Sequence, residues 1–397
     1  LDAGSIPAIS TFIKNTPIGV VFHFVVPRLA MKIEKITLHH LRMPLVSHFE
    51  TSFGRIFERD CILVEIQSEG LTGWGECVAD RDPGYSYETS GTAWHILQDF
   101  IAPLLLGQQV ADAHNFQYRV ANIRGHHLAK AGVEMALWDL LGQRTGKSLR
   151  ELFGGQRGSV AVGVSVGLQD TPEILLETVS RYIQDGYRRV KLKIKPGRDI
   201  RDTETVRRAF PQIQLQVDAN SAYTLETARG LLPLDDLGLL LIEQPLFEDD
   251  IWDHASLQKN FKTPICLDES IISPRHARYA IEMQACRIIN IKPARCGGLS
   301  QGLEVHDLCQ QAGIPVWCGG MLETNIGRAS NLALASLPNF LLPADISASA
   351  RYYREDLTEE TFTLNPDSTI SVPEKPGLGV TVIRNQVEKF TLARVVA

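Results

Sequence analysis

Asp218 in LQVDAN, Glu243 in LLLIEQP and Asp268 in PICLDES each close a short apolar run, and each stands 25 residues from the next. Lysines bracket the series: Lys191, Lys193 and Lys195 in VKLKIK precede it, and Lys292 in INIKP follows it. One strand, one helix and two short loops of a (β/α) repeat take up about that length of chain. The rhythm therefore sets three carboxylates and several amines at the same end of successive parallel strands.

The rest of the chain supports such a repeat. Strand candidates fall at 161–167, 188–194, 213–219, 239–245, 264–270, 287–293, 315–321 and 340–346. Helical stretches such as TPEILLETVSRYIQDGY lie between them, which favours a (β/α) barrel over a doubly wound sheet. No GxGxxG or Walker loop follows a strand, so a nucleotide site has no support. Ahead of the barrel, KIEKITLHHLRMPL, CILVEIQSEG and LTGWGECV read as strands, with a hairpin turn in SEGLTGWGE. From about Tyr87 to Leu152 the apolar spacing becomes helical. After Arg354 the texture is β-like again.

A chain of 397 residues exceeds the roughly 250 typical of one barrel. The expected fold is α/β: a modified TIM (β/α) barrel over 156–353 with an N-terminal α+β capping domain over 31–155. The C-terminal segment 354–397 is expected to return to the capping domain. Residues 1–30 read as an N-terminal extension. Lys14 and PIGVVFHFVVP imitate a secretory signal, but the apolar run is short, holds His23 and is bounded by prolines.

Composition removes several classes of function. A formal net charge of −6 offers no broad footprint for nucleic acid. No run reaches the roughly 18 apolar residues that span a membrane. The seven cysteines form no CxxC pair and no zinc-like spacing, and read as reduced, buried small hydrophobes of a cytoplasmic protein.

The chemistry follows from the carboxylates. Asp218, Glu243 and Asp268 on neighbouring strands would repel one another unless a cation neutralised them. All-oxygen ligation with room for water and substrate suits Mg²⁺, with Mn²⁺ as a substitute. Lys191, Lys193 and Lys195 share one strand face, and a lysine in a barrel mouth is costly unless it meets anions. Cationic neighbours would lower one another's pKa and make an amine available as a base. Lys292, four strands away, faces the site from the other side. Two bases flanking a carboxylate substrate could remove and return an α-proton on opposite faces, while the metal and the ammonium groups stabilise the enolised form.

Taken in order, KLKIKPG, QVDANSAYT, IEQPL, CLDESI, NIKPARCGG, CGGMLETNIGRA and ADISASARYYREDL resemble the motifs of the enolase superfamily. In detail they resemble its muconate-lactonising subgroup and, within it, the N-succinylamino acid racemase/o-succinylbenzoate synthase family. The resemblance runs from about Lys32 to Lys389. It implies a metal on Asp218, Glu243 and Asp268, acid/base work for Lys193 and Lys292, and Lys191 beside Lys193, tuning it and contacting the substrate carboxylate. It also implies a small-molecule carboxylate substrate and a homo-oligomer.

Several further positions join the candidate site. Asn220 and Glu269 flank metal ligands and are read as orienting a ligand or a lysine. Ser165, at the end of the first barrel strand, and Gly320 and Met321, as a wall close to an acyl group, are read as substrate contacts. Arg295 stands three residues after Lys292, either near that lysine or at the surface. ETSFGRIF (50–57) resembles the family's covering loop, with Phe49 and Phe53 over the substrate. Dipeptide epimerases of the subgroup resemble one another in a DxD pair at the last strand. Here the run is Asp345-Ile346-Ser347, with one acid, which favours an N-acylated or aryl carboxylate over a free amine. Sugar-acid dehydratases carry histidine on the later strands, and PVWCGGM has none. The alternatives are a muconate-type cycloisomerase or dipeptide epimerase, and a non-catalytic metal-stabilised binding protein. A glycosidase pair fits the facing lysines less well.

Overall fold

After a two-residue strand, Met31–Lys32, that pairs with Gln109–Val110, three strands form the first sheet: β1 (Lys35–Thr51), β2 (Gly54–Ser68) and β3 (Leu71–Cys77), joined as antiparallel hairpins. The β2–β3 turn is made by Glu69 and Gly70, both at positive φ (51° and 81°), the geometry that matches the right-handed twist of a two-residue hairpin. The computed structural model describes residues 30–396, so the expected N-terminal extension lies outside the described residues apart from its last position.

One face of this sheet is covered by the helix His127–Thr145, buried along almost its whole length. Seven parallel strands follow: β4 (Val164–Val166), β5 (Arg189–Lys193), β6 (Gln214–Asp218), β7 (Ile242–Glu243), β8 (Ile265–Leu267), β9 (Ile288–Ile291) and β10 (Val316–Cys318). They lie side by side in chain order, as a (β/α) repeat requires.

Two expectations need correction. The run 161–167 is not one strand: Ser159–Ala161 pairs antiparallel with Thr369–Ser371, and only Val164–Val166 joins the parallel sheet. The eighth candidate, 340–346, forms no ladder. It closes the ring through single bridges, Val316↔Phe340 on one side and Val162↔Ala344 on the other. Pro343 within it cannot donate to a ladder, a reason for the irregularity. The C-terminal strand β11 (Thr391–Val396) pairs antiparallel with β1, so the tail does return to the first sheet. The architecture is a capping sheet domain on a TIM-like parallel barrel.

Candidate active site

Register brings the functional residues together. Lys193 pairs with Asp218, and Asp218 with Glu243, so the end of β5 and the acidic ends of β6 and β7 share one level. Asp268 follows β8 directly, and Lys292 follows β9. All three carboxylates are wholly buried. A cavity at this end is lined by Lys191, Lys193 and Lys292, with Ser165, Asn220, Gly320, Met321 and Asp345 from the barrel. Phe49, Phe53, Arg59 and Tyr85 close it from the capping domain.

The amines lie against the carboxylates. Lys193 donates to Asp218 Oδ2 (2.7 Å) and to Asn220 Oδ1 (2.6 Å). Lys191 sits 2.9 Å from Glu243, 3.0 Å from Asp218 and 2.6 Å from Asp345. Lys292 is 2.8 Å from Asp268 Oδ2, and its ammonium lies 4.3 Å from the Tyr85 ring centroid. Lys195 is outside the site, beyond the strand and 3.8 Å from Glu50.

The lysines titrate apart: the expected lowering by cationic neighbours carries through to Lys193, but not to Lys191 or Lys292. Burial, helped by the charge of Lys191, takes Lys193 below its ordinary value although Asp218 pulls the other way. Burial also opposes charge on Lys191, but Asp345, Glu243 and Asp218 outweigh it and raise that amine. Lys292 is likewise raised against burial, chiefly by Tyr85 and Glu269.

Among the described residues no three Asp, Glu, His or Cys side chains stand close enough together to hold an ion as they are. The donor set nonetheless fits a hard cation. Burial and then neighbouring Asp218 push Glu243 up to about 7, the strain expected of two adjacent buried carboxylates. Asp268 Oδ2 makes no hydrogen bond despite its closeness to Lys292. All three groups offer oxygen, as Mg²⁺ prefers.

The remaining candidates divide. Asn220, at positive φ (42°), bridges Lys193 to Glu269, whose Oε1 accepts from its amide at 2.8 Å. Ser165 is buried on β4 with its hydroxyl unpartnered and facing the cavity. Gly319 is required by close approach: a Cβ there would fall 2.4 Å from Asn290 Oδ1 and 2.6 Å from Lys292 Cε. Phe53 forms the turn between β1 and β2, 48% exposed at the cavity rim. The segment read as a covering loop is thus a hairpin tip, tied to the barrel by Ser52 donating to Asn220 O (3.1 Å). Phe49 packs edge-on against Tyr352. Arg295 is inside rather than at the surface, ion-paired with Asp268 and donating to Ile271 O (2.8 Å) and Asn290 O (2.6 Å).

Sequence reasoning missed three residues. Tyr85, from the capping domain, donates to Asp268 Oδ1 (3.1 Å) and accepts from Lys292 (3.1 Å) and Arg295 (3.3 Å). It lies in an irregular, turn-rich segment with no period to read. Asn290 donates to Glu243 Oε1 (2.6 Å), and Arg189 pairs with Asp345 (2.6 Å). Both stand two residues before a site lysine, so strand alternation carried the signal.

A family model described as enolase C-terminal domain-like matches residues 175–386. A second, for the N-terminal domain of mandelate racemase/muconate lactonizing enzyme, matches 32–154. The chain belongs to the enolase superfamily. It is 48% identical over 364 residues to an o-succinylbenzoate synthase of Geobacillus kaustophilus, covering 91% of this chain and 97% of that one. It is 47% identical over 366 residues to an N-succinylamino acid racemase of Amycolatopsis sp, covering 92% and 99%. A crystal structure of an enolase-superfamily protein from Listeria innocua superposes with a TM-score of 0.88 at 41% identity, over 92% and 99% of the two chains. This places the chain as an enzyme of the o-succinylbenzoate synthase/N-succinylamino acid racemase family.

Proposed function

We propose that the enzyme moves the α-proton of a carboxylate substrate between two lysines, racemising N-succinylamino acids and forming o-succinylbenzoate by dehydration of its cyclohexadiene precursor, SHCHC, in menaquinone synthesis. The observation that carries this reading is the convergence of Lys193 and Lys292 on one cavity from strands four apart. Lys193, the amine that burial lowers, is suited to remove the proton, and Lys292 to deliver one on the other face. In dehydration Lys193 alone would be the base, with Lys292 stabilising the enolate by its charge.

A divalent cation, Mg²⁺ or Mn²⁺, held by Asp218, Glu243 and Asp268 would supply a Lewis acid for the charge that develops on the substrate carboxylate. Asn220 and Glu269 would fix Lys193, and Asn290 would fix Glu243. Ser165 would contact the substrate on its carboxylate side, Gly320 and Met321 would wall the acyl group, and Phe53 would cover the substrate. Seven free, buried cysteines suit the reducing cytoplasm in which we place the enzyme. Among the described residues no helix is long and apolar enough to cross a membrane.

The test is direct. Purified enzyme with Mg²⁺ and an N-succinyl-L-amino acid should lose optical rotation, and the synthase precursor should lose its ultraviolet absorbance. Lys193→Ala and Lys292→Ala should each abolish racemisation, and full activity in either would refute the two-base assignment.

A further inference from the structure

The segment that closes the barrel contributes one carboxylate to the cavity wall, Asp345. Its oxygens are already engaged. Oδ2 lies 2.6 Å from Lys191 Nζ, and Oδ1 lies 2.6 Å from a terminal guanidinium nitrogen of Arg189. Arg189 is wholly buried, one inward-facing position before Lys191 on β5. It donates to the carbonyls of Pro343 (3.0 Å) and Ala344 (2.6 Å), and so stitches the ladder-less segment to the sheet. The Trp317 ring lies under both cations, 5.6 Å from the guanidinium carbon and 4.9 Å from the Lys191 amine. Gly163 makes room for it: a Cβ there would fall 2.3 Å from Arg189 Nε.

The bridges at Phe340 and Ala344 and these carbonyl contacts already hold the closing segment to the sheet. The ion pair does something more, because it sets Asp345 between two cations, Arg189 and a Lys191 that also meets Glu243 and Asp218. An ammonium group arriving there would meet the charge of Lys191 and a carboxylate whose two oxygens each face a cation, and like-charge juxtaposition is a strong means of rejecting a ligand.

We propose that Arg189 is a positioning residue that sets which charge the pocket accepts: by holding Asp345 on Lys191 it withdraws that carboxylate from the substrate. A ligand with an ammonium group at that wall is refused, and one with a neutral or anionic acyl end is taken. The inference rests on the N-acylated-substrate reading above and names the residue that enforces it.

Two ligands isolate the charge. N-propionyl-L-phenylalanine and L-alanyl-L-phenylalanine share one skeleton and differ by the ammonium group. With the Mg²⁺-loaded enzyme, calorimetry should show the propionyl compound bound about tenfold or more tighter. Arg189→Met should narrow that ratio by about tenfold, and Arg189→Lys, which keeps the charge, should preserve it. Equal affinities in the wild type would overturn the proposal. So would an Arg189→Met enzyme that loses both ligands in proportion, since that is a purely structural role, or an Arg189→Lys enzyme that behaves like the Met variant. If Arg189→Met does not fold, the wild-type ratio and Arg189→Lys decide. Absence of α-proton exchange on N-succinyl-L-phenylalanine would instead remove the racemase reading, and the binding comparison would still be readable.

Discussion

At the scale of single residues, the chemistry depends on how one amine is held. Lys193 has two acceptors, Asp218 and Asn220, and Asn220 is oriented because its amide nitrogen donates to Glu269. Asn220→Ala removes the acceptor that aims the lysine, and the donor to Glu269, without replacing Asp218, Glu243 or Asp268. We expect kcat to fall by about 10–100-fold, in line with other residues that orient a site group, while the circular dichroism spectrum is unchanged. Gly319→Ala should do comparable harm by another route, forcing a methyl group against Lys292 and Asn290. Overpacking of that kind costs about 1–3 kcal/mol, readable as a lower thermal midpoint together with reduced turnover. These residues differ in how well the sequence announced them. Asp218, Glu243, Asp268 and the lysines stood out because a repeat period fixed their position. Tyr85 did not, because the contact joins an irregular capping segment to a strand end about 200 positions away, and no local pattern encodes it.

At the scale of elements, a buried carboxylate ties the cap to the barrel. Glu76, on β3, accepts from Thr324 N (3.1 Å), Thr324 Oγ1 (2.7 Å) and Gly327 N (2.9 Å) at the start of the helix Asn325–Ala335. Burial pushes it up to about 7 from 4.5, with Glu323 adding to the rise. A carboxyl raised on folding contributes stability that is fully present below its unfolded value and is lost as pH climbs through the folded one. Its share, at most about 3 kcal/mol from that shift, should therefore disappear between about pH 4.5 and 7. In Glu76→Gln the decline of the thermal midpoint over this window should be smaller than in the parent, and an unchanged slope would show that Glu76 does not titrate there. The helix and strand types were legible from apolar periodicity. The split of 161–167 and the missing eighth ladder were not, since an apolar run reads alike whether its partner is the barrel or the strand Thr369–Ser371.

At the scale of the molecule, the capping sheet, extended by the returning tail, and the barrel face each other across a cavity that neither domain lines alone. The barrel was legible from the 25-residue rhythm, and the return of the tail from its β-like texture. The closing of the cavity by Phe49, Phe53 and Tyr85 is a property of packing between distant segments. Metal binding is the whole-molecule prediction. Mg²⁺ added to chelator-treated enzyme should raise the thermal midpoint, by the equivalent of about 2.7 kcal/mol at a hundredfold excess over Kd, and Asp218→Asn should lose most of that rise. A midpoint indifferent to Mg²⁺ would count against the three-carboxylate assignment.

The central claim is that two lysines on opposite sides of the cavity exchange the α-proton of an N-acylated carboxylate. It is tested most directly by incubating the enzyme with N-succinyl-L-phenylalanine and Mg²⁺ in D₂O and following the α-position by NMR alongside chiral separation. We expect the D-product to carry deuterium from its first appearance, and Lys193→Ala and Lys292→Ala each to stop its formation. Absence of α-deuterium at saturating Mg²⁺, or racemisation that persists in either variant, would contradict the account.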